Sequence, residues 1–150
     1  MSEKDLVSKR ARNLYNEGLN CAESICLSFK EYWGIKDSLI PQIATGFGGG
    51  VGRKGSLCGT FVGSVMLIGI KMGRTDPKDK ETMLKVYEKC QQFWDMFEKK
   101  FGSRECYKLT GYHLDNGEDH EKWLQAGGKE KCGELIEKTA EMLSEFIKRI

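Results

Sequence analysis

Residues 46–73 read GFGGGVGRKGSLCGTFVGSVMLIGIKMG, a glycine-rich loop running directly into an apolar segment. In the loop, residues 46–55, seven of ten positions are Gly or Phe, so the backbone is free to adopt positive φ. Ser56 is a candidate helix cap, and the residues after it are apolar on nearly every side, which predicts a buried central helix. Gly55, Gly59 and Gly63 recur at four-residue intervals on one of its faces and predict the close approach of another backbone.

Working outward, helical periodicity continues on both sides. Residues 3–17 place Val7, Ala11 and Leu14 on one face, with Leu6 and Tyr15 nearby, and Gly18 ends the pattern. Asn20 with Glu23 three positions later is a capping-box signal for a helix over residues 21–33. A helical turn is predicted after Asp37 or Ser38, with Pro41 tolerated in its first turn. Downstream, Asp76 and Pro77 read as N-cap and N1 of a long helix whose seam is Met83, Tyr87, Cys90, Trp94, Phe97 and Phe101. Gly102 stops it, Ser103 caps a short helix ending at Gly111, and Cys132, Ile136, Ala140, Leu143, Ile147 and Ile150 mark a last amphipathic helix. Residues 112–128 are polar and glycine-punctuated and carry no readable period. No alternating strand and no internal repeat occurs. The expected fold is all-α: one domain over residues 1–150, a bundle of about five to six helices with the glycine-rich loop before its buried central helix.

Composition narrows the function classes. The 150 residues are 39% hydrophobic and 31% charged with two prolines, a globular composition, and this length buries a core without metal or disulfide. Net charge is +2 with acidic and basic residues interleaved, so no basic patch points to nucleic acid. The longest apolar stretch, residues 57–70, is shorter than the roughly 20 residues a spanning helix needs. The first residues, MSEKDLVSKRARN, lack the apolar core of an export signal, and a cytoplasmic location is expected.

Six cysteines are many for a reducing compartment, which raises metal or thiol chemistry. No C-x-x-C pair occurs, so the common zinc, thioredoxin, ferredoxin and haem-attachment patterns are missing. Cys21, Cys58, Cys106 and Cys132 each fall in or near the first turn of a predicted helix, where unpaired amides and the helix dipole favour an anion such as a thiolate. Coincidence is the competing reading, since cysteine is commonly buried. Cys26 lies mid-helix and Cys90 lies on the apolar seam, where a thiol acts as a small hydrophobe.

The runs NCAES at residues 20–24, GFGGGVGRKGSLCGTFVG at 46–63, GSRECYKLTG at 102–111 and KCGELIEKTAEML at 131–143 resemble the redox-active family named for its C-GCAxxG-C-C cysteine pattern. The resemblance implies that Cys21, Cys58, Cys106 and Cys132 are the family's four cysteines, while Cys26 and Cys90 are extra. The family's CGAxxG becomes Cys58-Gly59-Thr60-Phe61-Val62-Gly63, with Thr60 in place of Ala. The family is similar to the cysteine domain of split-Soret cytochrome c, which implies an iron–sulfur cluster and electron transfer or redox sensing. It assigns no catalysed reaction, and the electron donor and acceptor proteins are unspecified. Four thiolates match the ligand count of an ordinary cluster.

Two other readings belong to different classes: a metal-free thiol/disulfide oxidoreductase using the same cysteines, and a structural zinc or metal-storage module. Backbone support for the site is expected from Gly49, Gly50, Gly52 and Gly59. The G-x-G-x-x-G at Gly50, Gly52 and Gly55 lacks the preceding strand that a dinucleotide site requires, so nucleotide binding is not expected. His113 and His120 read as solvated loop residues, with His120 the more plausible extra ligand. An exposed part of the aromatic seam would favour a homodimer.

Overall fold

The computed structural model describes all residues, Met1–Ile150, and is all-helical. Helices α1 (Glu3–Asn16) and α2 (Cys21–Trp33) lead through a 3-10 helix (Gln42–Phe47) and the glycine loop to α3 (Gly59–Met72). Then follow α4 (Lys80–Phe101), α5 (Cys106–Thr110), α6 (Gly117–Gln125) and α7 (Gly128–Lys148). Seven α-helices and one 3-10 helix thus replace the expected five to six. No helix is long and apolar enough to cross a membrane.

The starts of α1 and α2 are closed by capping boxes. Ser2 pairs with Asp5, and Asn20 pairs with Glu23, as the sequence predicted for α2. The start of α4 is displaced from the predicted Asp76–Pro77: Asp79 caps it, its side chain accepting from the Thr82 amide at 3.0 Å. The unreadable segment contains α6, capped by Asn116 through the Asp119 amide. The apolar side of α6 is a single buried ring, Trp123, too little to show as periodicity.

α3 sits at the centre, packed on α2, α4, α7 and the 3-10 helix, and α1 pairs with both α2 and α7. Antiparallel α1 and α7 are tied at one end by Lys4–Glu145 (3.0 Å) and further along by Arg12, which reaches Glu137 (2.8 Å) and Glu130 (2.9 Å). The shared core comprises Val7, Ile25, Phe29, Leu67, Ile68, Phe93, Phe97, Ile136 and Leu143, all fully buried. α3 is less enclosed than expected, because Val62, Val65 and Met66 are half-buried and Ile70 is exposed.

The seam predicted for α4 is also rotated. Its buried residues are Phe93 and Phe97, whereas Tyr87 is 54% exposed and Trp94 37%. α4 carries apolar residues on two adjoining faces and packs mainly on α3, so one face remains uncovered.

The glycine stripe does bring α2 against α3. A Cβ on Gly63 would lie 2.6 Å from Ile25 Cγ2 and 3.2 Å from the Ala22 carbonyl, while Gly55 lies outside the helix, against Tyr107. Gly63→Ala would gain about 1 kcal/mol of helix propensity. It would also overpack a site whose neighbours are a fully buried side chain and helix backbone, at a cost of about 1–3 kcal/mol. The clash offsets the gain, and a net loss of up to about 2 kcal/mol is expected from urea denaturation of the variant.

Candidate functional site

The four cysteines arrive from four different elements. Cys21 is the first residue of α2, Cys58 the N-cap of α3, Cys106 the first residue of α5 and Cys132 the fifth of α7. Helix-start placement therefore holds for three, while Cys132 lies in the second turn and Ser56 caps nothing. Cys58 and Cys106 are joined through backbone: Leu57 and Glu105 form an antiparallel bridge. On either side of it the Cys58 amide donates to the Arg104 carbonyl and the Cys106 amide to the Ser56 carbonyl, both at 2.7 Å. Side chains alternate along extended backbone, so Cys58 and Cys106 leave this bridge on the same side.

Missing side chains let the other parts close in. A Cβ on Gly59 would lie 2.6 Å from Cys21 Sγ and 2.7 Å from the Phe47 carbonyl, and one on Gly50 would lie 2.7 Å from Cys106 Cβ. The Gly49 amide favours a charge on the Cys21 sulfur. Three of the four glycines expected to support the site therefore do touch it. Gly52 does not, having nothing within 4 Å of a Cβ placed there. The loop is folded back by Arg53 N–H to the Gly48 carbonyl and Ser56 N–H to the Gly50 carbonyl, both 3.0 Å. These bonds hold Val51 (φ 68°) and Arg53 (φ 67°) in the left-handed region that side-chain-bearing residues avoid.

A charge on Cys21 is felt at Cys58, Cys106 and Cys132, and a charge on Cys106 at Cys132. Cys132 also packs with Cys106, Leu114 and Trp123 in a small cluster beside the main core. Two residues not foreseen as part of the site complete it. The buried Tyr15 and Trp123 side chains both favour a charge on the Cys132 sulfur, and Cys21 and Cys106 also act on Tyr15. In the sequence Tyr15 is only a neighbour of the apolar face of α1. The Trp123 ring lies directly over Gly128, where any Cβ would strike it.

The thiols are not the acidic ones expected at helix starts. Burial pushes Cys21 up, and pushes Cys58 and Cys132 up to about 12 and Cys106 to about 11. First-turn amides do pull the other way, those of Cys21 and Ala22 at Cys21 and those of Thr60 and Phe61 at Cys58. Desolvation outweighs them. α5 has five residues and Cys132 sits past the first turn, so neither Cys106 nor Cys132 has such help.

All six cysteines are free. Cys26 is fully buried, and its thiol contacts the Gly63 carbonyl at 3.7 Å. Cys90 is half-buried on α4, in the wall of an apolar groove of about 690 Å³ between α3 and α4. Phe47, Leu57 and Phe61 line the inner side of this groove, next in sequence or in space to Cys58 and Gly59, while Trp94, under the Arg104 guanidinium at 3.6 Å, borders its outer side. His113 stacks on Tyr107, and His120 packs on Trp123. No group of three or more His, Cys, Asp or Glu side chains is gathered closely enough to hold a single metal ion.

No solved structure matches the chain. A protein of Archaeoglobus fulgidus, described as "Uncharacterized protein", is 27% identical over 155 residues, which span 99% of this chain and 97% of that one. The model of the family described as "Putative redox-active protein (C_GCAxxG_C_C)" matches residues 19–146, from just before Cys21 to beyond Cys132, and the chain belongs to that family.

Proposed function

We propose that Cys21, Cys58, Cys106 and Cys132 together hold an iron–sulfur cluster and that the protein serves in electron transfer or redox sensing. The observation that carries this reading is the lining of the site. Four largely buried thiols from four elements lie where the Gly49 amide favours a charged sulfur at Cys21 and the Tyr15 and Trp123 side chains favour one at Cys132. Donors without a competing carboxylate suit a sulfur-rich, negatively charged group.

When bound, a cluster supplies a one-electron couple, exchanging electrons with a one-electron carrier. This chain's part is to hold the sulfurs in a low-dielectric pocket and to stabilise their charge. The Gly49 amide acts at Cys21 and Tyr15 at Cys132. The metal-free dithiol reading is weakened by the same burial: a thiol held near 11 or 12 is almost wholly protonated at neutral pH and is a poor nucleophile. Iron and acid-labile sulfide analysis after anaerobic purification, or after reconstitution with ferrous iron and sulfide, tests the proposal. Visible charge-transfer absorption with iron and sulfide in cluster proportions is expected. A colourless protein that takes up neither would sink it.

A further inference from the structure

Seven serine and threonine side chains are buried in this fold, and five of them satisfy themselves in one way. Ser8, Ser24, Ser28, Ser64 and Thr139 each donate to a backbone carbonyl three or four residues earlier, at 2.7–3.2 Å. The Thr60 and Ser144 hydroxyls are the exceptions: both are fully buried and have no hydrogen-bond partner. For Thr60 the reason is its place in the chain. It is the second residue of α3, so the carbonyl four residues back is that of Ser56, outside the helix and already accepting from the Cys106 amide. Its hydroxyl is left beside two sulfurs, those of Cys21 and Cys58. The Cys21 sulfur is pressed onto this turn of α3 because Gly59 has no Cβ. A neutral thiol is a weak acceptor that meets the donor only loosely, whereas a charged sulfur is a strong one.

We propose that the Thr60 hydroxyl shares its single proton between the Cys21 and Cys58 sulfurs and tunes the charge they carry, making Thr60 a positioning residue of the sulfur site. The inference rests on the reading of the four cysteines as one site. A donor to sulfur favours the more negative, reduced state. Its removal therefore lowers the reduction potential of a bound cluster.

The test compares Thr60→Val, which keeps the shape and removes the hydroxyl, with Thr60→Ser, which keeps the hydroxyl. Thr60→Ala is the second variant should valine disturb folding, and Ser144→Ala removes the other orphan hydroxyl as a control. In the reduced, metal-free protein, the infrared S–H stretching bands of Cys21 and Cys58, assigned with Cys21→Ser and Cys58→Ser, should move in Thr60→Val or Thr60→Ala. They should stay in place in Thr60→Ser and Ser144→Ala. In protein reconstituted with ferrous iron and sulfide, the oxidised-to-reduced ratio at fixed potential should rise about tenfold in Thr60→Val, a fall of about 59 mV for a one-electron couple. Moved bands in a protein that never takes up iron would uphold the role of Thr60 and reject the cluster. Unmoved bands, or an unmoved potential in loaded protein, would overturn the role of Thr60 and leave the cluster reading intact.

Discussion

Cys21→Ser is expected to abolish cluster assembly while the helices remain. Cys21 is the thiol whose charge reaches all three other site cysteines, and it is the one held by both the loop, through the Gly49 amide, and α3, through bare Gly59. Serine preserves the volume but replaces a soft sulfur ligand by a hard oxygen, which iron in a sulfide cluster binds poorly. Removing a mere outer partner of a metal ligand costs about 10–100-fold in affinity, so removal of a ligand should exceed that range. The same result is expected for Cys58→Ser, Cys106→Ser and Cys132→Ser, read as bound iron per chain with helicity by circular dichroism as the control. Cys90→Ser should bind iron as wild type does. Cys26→Ser should also bind, with a stability change of about 1 kcal/mol from altering its buried contact with the Gly63 carbonyl. Iron retained by Cys21→Ser, or lost equally in Cys90→Ser, would show that the cysteines have been divided wrongly.

The element starts that carry Cys21 and Cys58 were legible in the sequence because they depend on local order. Asn20 and Glu23 announce the start of α2 and so the place of Cys21, and the Gly-rich run announces the turn before Cys58. What the sequence hid depends on long-range contact. Whether Trp94 or Phe93 faces inward is decided by how α4 lies on α3, since apolar residues occupy adjoining faces of the helix. Residues 112–128 concealed α6 because one tryptophan makes no stripe, although Asn116 three residues before Asp119 was a usable cap signal. Tyr15 and Trp123 could not be assigned to Cys132 from sequence, because α1 and α6 meet α7 only in the folded chain. The acidity of the thiols failed for a related reason. First-turn amides are visible in a sequence, but the desolvation that overrides them exists only after folding.

That override leads to the second large effect, a steep dependence of metal loading on pH. Folding raises the four site thiols from an ordinary 9.0, with Cys58 and Cys132 reaching about 12 and Cys106 about 11. At neutral pH all four carry protons. Coordination requires thiolates, so each ligand exchanges its proton for iron, and binding releases up to four protons. Higher pH strengthens loading and lower pH reverses it, throughout the range below about 11, to which burial pushes Cys106. The apparent binding constant should change by up to about four decades per pH unit. Protein reconstituted with ferrous iron and sulfide, then brought stepwise to lower pH under nitrogen with an iron chelator present, should lose its charge-transfer absorption within a narrow interval. Helix-start thiols that were already ionised at neutrality would release almost no protons, and loading would be flat there. Tyr15→Phe sharpens the comparison. Losing the Tyr15 hydrogen bond leaves Cys132 harder to ionise, so the loss of iron should begin at a higher pH than in the wild type. A flat profile in both proteins would mean that iron is not held by these buried thiols.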